Sequence, residues 1–151
     1  MSVYEKLETL GITLKPPATP SGAFVQFAIS GNSVYLAGHI ATRDGQPLVG
    51  RVGDDMSTAD GKAAARAIGI DLLGTLEAAA GGNLDRIKRI TKVLVLVNSA
   101  PTFTEQHLVA NGVSELFLEV LGEKGPHARS AVGVAQLPYG CCVEIELIAE
   151  I

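Results

Sequence analysis

Ile90-Thr91-Lys92-Val93-Leu94-Val95-Leu96-Val97-Asn98 contains an unbroken apolar run, Val93–Val97. A strand with one wet face alternates apolar and polar residues, so a continuous run predicts a strand covered on both faces. Both flanks of this strand read as helices. Upstream, Ser57 with Asp60 three residues on resembles a capping box, and Ala65, Ile68, Gly69, Leu72, Leu76 and Ala79 fall on one helical face. The pattern runs to about Ala80, where Gly81-Gly82 stops it. Downstream, a helix from about Thr104 to Leu121 turns Val109, Val113, Leu116, Phe117 and Val120 inward. Two strands close the chain, Arg129–Gln136 and Val143–Glu150, linked by Pro138-Tyr139-Gly140.

The first third is shorter-ranged. Residues 2–10 read as a helix with Ser2 as N-cap and Gly11 at its end. Pro16, Pro17 and Pro20 fix φ and remove donors, so Lys15–Gly22 is an extended arm crossing the surface. Strands over Phe24–Ile29 and Ser33–Ala37 flank the hairpin signal Ser30-Gly31-Asn32. A turn at Arg43–Pro47 and a short returning strand near Leu48–Val52 follow. The order β-β-(β)-α-β-α-β-β makes residues 1–151 a single α/β (α+β) domain, with 1–22 as helix and arm. Its expected architecture is a two-layer sandwich, a mixed sheet with two main helices on one face. In the last strand Val143, Ile145, Leu147, Ala149 and Ile151 would face the helices. The opposite set, Glu144, Glu146, Ile148 and Glu150, suits either a subunit interface with clefts or solvent.

Composition narrows the functional classes. The 151 residues are 47% hydrophobic and 19% charged, which leans toward an oligomer, and the net charge is −4. The one basic group, Arg86–Lys88–Arg89–Lys92, is interleaved with apolar residues, so no nucleic-acid partner is expected. No apolar run approaches the roughly 20 residues that span a bilayer, and Met1–Lys6 lacks the order of a secretion signal. Cys141 and Cys142 are adjacent, a poor arrangement for a disulfide or zinc site, and fit a reducing cytoplasm. No phosphate loop, dinucleotide fingerprint or metal motif appears, so neither cofactor nor metal is expected. His39, His107 and His127 have no partners at ligand spacing and read as ordinary surface or core histidines; His39, after a strand end at Gly38, is placed to reach a cleft.

Arg129 is the chemically suggestive residue. It opens a strand of small residues, and Ala131 and Gly133 follow on its face, leaving space beside a planar bidentate donor suited to a carboxylate. An arginine capping a sheet edge, or paired with Glu146, is the alternative.

Arg129-Ser130 with Val132, Leu137-Pro138 and Val143-Glu144-Ile145-Glu146 resembles the C-terminal signature of the reactive-intermediate-deaminase (Rid, YjgF-type) family. Gly22–Gln26, Leu36-Ala37-Gly38-His39-Ile40 and the Asn111–Phe117 segment extend the resemblance over nearly the whole chain. It implies a chorismate-mutase-like fold and a homotrimeric barrel with ligand clefts between subunits. It also implies cofactor-free hydrolysis of 2-imino or enamine acids to 2-oxo acids and ammonia. On that likeness Arg129 holds the carboxylate and Glu144 orients or deprotonates water. Gly38 and Ala131 offer backbone contacts, Asn111 supports the cleft, and Phe24, Ala37 and His39 line it. The expected partners are a small carboxylate-bearing imine or 2-oxo acid and further copies of the chain.

Two features qualify that expectation. If Pro138–Gly140 closed a tight hairpin, Arg129 and Glu144 would lie about five residues apart along it, about 16 Å, too far for one small substrate. Either the two strands are not neighbours or two chains build the site. Phe24 also stands where deaminating members carry a tyrosine, and Ala37 where they carry serine, so two hydroxyls are missing. A trimeric protein that binds small carboxylates without turnover is therefore the rival reading.

Overall fold

The computed structural model describes all 151 residues. The helices are α1 (Val3–Thr9), α2 (Thr58–Ala79) and α3 (Gln106–Leu121). The strands are β1 (Phe27–Ser30), β2 (Ser33–Leu36), β3 (His39–Ile40), β4 (Thr42–Arg43), β5 (Gln46–Pro47), β6 (Arg89–Asn98), β7 (Ala128–Val134) and β8 (Val143–Glu150).

The anticipated cap starts α2. Asp60 N donates to Ser57 Oγ at 3.1 Å, and Ser57 N donates to Asp60 Oδ2 at 3.2 Å, which satisfies donors the helix leaves open. Ser2 and Glu5 form the same reciprocal pair before α1. From α2 the predicted face, Ala65, Ile68, Leu72, Leu76 and Ala79, is buried, as are Val109, Val113, Leu116, Phe117 and Val120 of α3. Both helices seal one side of a mixed sheet ordered β1-β2-β8-β6-β7, with β3 continuing beside β8 beyond β2. On that side lie Val93, Val95 and Val97 of β6 and Val143, Ile145, Leu147 and Ala149 of β8, all at most 2% exposed.

The sheet's second side is uncovered in the single chain. Leu94 and Leu96 are therefore only half-buried, whereas the apolar run Val93–Val97 predicted cover on both faces. Alternation makes the paired strands share this side: Leu94 lies opposite Ser130 and Glu146, and Leu96 opposite Val132 and Glu144.

Several elements differ from expectation. The first strand begins at Phe27 and leaves Phe24 outside it. Asp44 and Gly45, both at positive φ, form a tight turn between β4 and β5, and the stretch near Leu48–Val52 makes only isolated bridges, such as Val49 to Cys141. The third helix starts at Gln106, after a Glu105 that provides no side-chain cap. Pro138–Gly140 is a 3₁₀ turn and not a hairpin: β6 lies between β7 and β8, parallel to the first and antiparallel to the second. Of the two options left by the spacing of Arg129 and Glu144, the strands are indeed not neighbours.

The N-terminal arm is seated on α2. Gly74 makes this approach feasible, because a Cβ there would collide with the Lys15 carbonyl. The arm thereby forms one wall of a groove at the β3 end of the sheet.

Candidate functional site

The residues singled out in the sequence fall into two groups that do not meet within one chain. Arg129, Asn111 and Ala131 belong to the first. Arg129 pairs with Val93 in the parallel ladder and so leaves the sheet on the helix side. There Nη1 donates to Asn111 Oδ1 at 2.9 Å and to Ser114 Oγ at 3.1 Å, and Nη2 donates to the His107 carbonyl at 3.3 Å. Asn111 and Ser114 are three apart on α3, and His107 lies one turn earlier, so one helix face supplies all three acceptors. A guanidinium has five N–H donors. Two remain, Nε–H and one on Nη2, on neighbouring nitrogens that match the two oxygens of a carboxylate. Neither Glu146 nor any other carboxylate forms an ion pair with Arg129, which removes the salt-bridge alternative.

Glu144, Gly38, His39 and Phe24 form the second group. They line a groove of ≈ 640 Å³ whose other wall is the proline arm. Glu144 pairs with Leu96, which puts its carboxylate on the uncovered side of the sheet. The side chain lies directly over Gly38: a Cβ on that residue would stand 2.5 Å from Glu144 Oε1. Glycine at 38 is thus the condition for placing the carboxylate here. No hydrogen bond within the chain satisfies it. Burial first, and Glu146 second, raise the Glu144 carboxyl above its ordinary 4.5.

His39 reaches the same groove from the helix side. Its Nδ1 lies 2.8 Å from the Ala37 carbonyl, which only accepts, so Nδ1 carries the proton. Nε2 then accepts from the Thr75 hydroxyl at 2.8 Å. Burial holds the imidazole below 6.5. Both ring nitrogens are committed, so His39 braces the Ala37–Gly38 turn and has no free base to offer. Phe24, half-exposed on the groove wall, presents only its ring, and Ala37 contributes its carbonyl to His39.

Sequence reasoning missed Ser114, Asp71 and Thr75. Ser114 had a legible signal, its spacing of three from Asn111 on a predicted helix. Asp71 and Thr75 are one turn apart on α2 and line the groove. Burial pushes the Asp71 carboxyl upward.

Residues 15–151 match the family described as Endoribonuclease L-PSP. The chain is 44% identical over 151 residues to Protein TCP17 of Trypanosoma cruzi, covering 99% of this chain and 94% of that protein. Among solved structures, the protein Atu1372 of Agrobacterium tumefaciens, of unknown function, is 42% identical with a TM-score of 0.89, covering 99% of this chain and 91% of that one. RidA from the Antarctic bacterium Psychrobacter is 31% identical with a TM-score of 0.58, over 91% of this chain and 94% of that chain. The protein belongs to the Endoribonuclease L-PSP (YjgF/RidA-type) family and has its chorismate-mutase-like α+β fold. No helix is long and apolar enough to cross a membrane.

Proposed function

We propose that this protein hydrolyses 2-imino acids to 2-oxo acids and ammonia, without a cofactor, at clefts each built from two chains of a homotrimer. One chain supplies Arg129 and the next supplies Glu144 with Gly38. The observation that carries this reading is the braced guanidinium of Arg129, whose Nε–H and remaining Nη2–H are left to bind an anion. A planar fork held by three acceptors is preorganised for a carboxylate.

In the reaction, Glu144 accepts a proton from water as the water oxygen bonds to the imine carbon. Glu144 returns that proton to nitrogen, giving the neutral carbinolamine. Nitrogen then takes the hydroxyl proton, relayed by Glu144, as the C–N bond breaks and ammonia leaves. The carbonyl forms in the same step, so one water is consumed per ammonia released. A carboxylate lifted by burial is a stronger base than a free one, which helps the first proton transfer. The groove of ≈ 640 Å³ leaves room for side chains well beyond those of three- and four-carbon acids.

The second reading, a small-carboxylate-binding protein without turnover, is favoured by Phe24 and Ala37, which bring no hydroxyl to the groove. For phosphodiester cleavage, which the family's name suggests, the chain offers no pair of free imidazoles. His39 and His127 each engage both ring nitrogens inside the chain, and His107 stands exposed on α3 with no second histidine beside it. Ammonia release from freshly generated iminopyruvate and from bulkier imino acids tests the proposal. Release above the spontaneous rate, lost in Arg129→Ala, is expected. Binding without release across the panel would favour the second reading.

A further inference from the structure

We propose that Ser114 and His127 are positioning residues, a two-step relay that holds the Arg129 guanidinium in its anion-ready orientation without touching the ligand. The inference rests on the reading of Arg129 as the carboxylate anchor.

The relay follows from the acceptors available. His127 Nδ1 lies 2.7 Å from the Gly125 carbonyl, and a carbonyl only accepts, so the proton resides on Nδ1. Nε2 is then a lone pair, and at 3.0 Å it accepts the Ser114 hydroxyl proton. With that proton turned toward the imidazole, the Ser114 oxygen presents a lone pair to Arg129 Nη1 at 3.1 Å. An unfixed serine hydroxyl rotates freely, and a donor turned toward a guanidinium would repel it.

The surroundings keep the relay in this state. Phe117 packs edge-on against the His127 ring, with centroids 5.9 Å apart and planes at 77°. From α3 the ring meets Ser114 and Phe117, from the preceding turn the Gly125 backbone, and from β7 the charged Arg129. Burial foremost, with the Arg129 charge adding to it, disfavours a second proton on the imidazole. Ser114 has no bond to its own helix; its partners are His127 and Arg129 alone. With Asn111 it takes both protons of Nη1, so rotation of the guanidinium breaks both bonds together.

The test compares benzoate with benzamide, a neutral ligand of the same shape that does not engage an anion fork. Binding is measured by NMR titration in wild type, Ser114→Ala, Ser114→Thr, His127→Phe and Arg129→Ala, with thermal melts alongside. Ser114→Ala and His127→Phe should each weaken benzoate roughly tenfold, the scale of one hydrogen bond to a charged group. Benzamide binding and the melting temperature should stay near wild type, and Ser114→Thr, which keeps a hydroxyl, should recover most of the loss. Equal weakening of both ligands, or unchanged benzoate affinity in both variants while Arg129→Ala abolishes it, overturns the relay and leaves the anchor standing. Unchanged benzoate binding in Arg129→Ala overturns the anchor reading itself.

Discussion

Arg129 and Glu144 leave the sheet on opposite sides: Arg129 sits opposite Val93 on the helix side, and Glu144 opposite Leu96 on the uncovered side. With β6 between their strands, and three residues of offset along it, one chain holds the two groups apart by more than one small molecule spans. Arg129 also lies on β7, an edge strand with a free outer side, where an adjoining chain could approach.

Complementation between two defective chains follows from this separation. Arg129→Ala keeps an intact Glu144 and Glu144→Gln keeps an intact Arg129. Unfolding and refolding an equal mixture should create hybrid clefts with both native groups. In a three-fold ring with head-to-tail contacts, about a quarter of the clefts would be whole. Ammonia release from the mixture should approach that fraction of wild type, with each variant inactive alone. An inactive mixture of folded hybrids would mean that no shared cleft exists.

Arg129→Ala should abolish binding of pyruvate, 2-oxobutyrate and benzoate. It removes three hydrogen bonds, yet the melting temperature should fall only modestly, because the site is partly exposed and water can satisfy the acceptors left behind. Arg129→Lys should not restore binding, since an ammonium lacks the planar fork and matches the three acceptors poorly. Calorimetric titration checks both.

Much of this is legible in the sequence. The faces of α2 and α3 followed from helical period, and the cap at Ser57 from the offset to Asp60. The alternation Val143, Ile145, Leu147, Ala149 identified the buried side of β8. The order of the last three strands was not legible. A short linker usually implies a hairpin, yet residues 135–142 are ample to step across an intervening strand, about 10 Å. The two-sided placement of Arg129 and Glu144 depends on that step. The brace around Arg129 was half-visible: Asn111 stood out, whereas Ser114 and His127 are joined only by the register between α3 and the loop before β7.

Glu144→Gln should retain benzoate affinity and lose turnover, because it removes a base and not an anchor. The active form is the carboxylate, so activity is present above its pKa and disappears as pH falls through it. Burial raises that pKa, so the acidic limb of the rate profile should lie above 4.5. The profile is read from initial ammonia-release rates against pH. A profile with no acidic limb would assign the base elsewhere.

Cys141 and Cys142 should behave as inert packing. Both are fully buried and free, and burial, the largest cause, lifts the Cys141 thiol to about 11. A thiol that stays protonated through neutral pH is a poor nucleophile. Aromatic disulfide reagents should modify neither thiol in the native protein at pH near 8, and the double Cys→Ala variant should keep benzoate affinity within about twofold of wild type. Rapid native labelling, or loss of binding in a folded double variant, would give these residues a role.

The uncovered side of the sheet supplies the last expectation. Leu94, Leu96 and Ile148 are half-buried there, and Val132 and Tyr35 are 44% and 48% exposed. This contiguous apolar surface is flanked by Glu144, Glu146 and Lys92, the composition of a subunit contact with polar rims. Sedimentation equilibrium at micromolar concentration should give three times the chain mass of 15.7 kDa. Leu94→Asp introduces a charge directly opposite Glu146, where like charges repel across the ladder. Its side chain does not enter the helix-side core, so the monomer should keep its helical circular dichroism. It should sediment near 15.7 kDa and lose ammonia release together with the trimer, because Arg129 then has no Glu144 to face. A wild-type protein that sediments as a monomer yet releases ammonia would rule out the two-chain cleft. An active monomeric Leu94→Asp protein would do the same from the other side, since its Arg129 and Glu144 would still stand on opposite faces of one sheet.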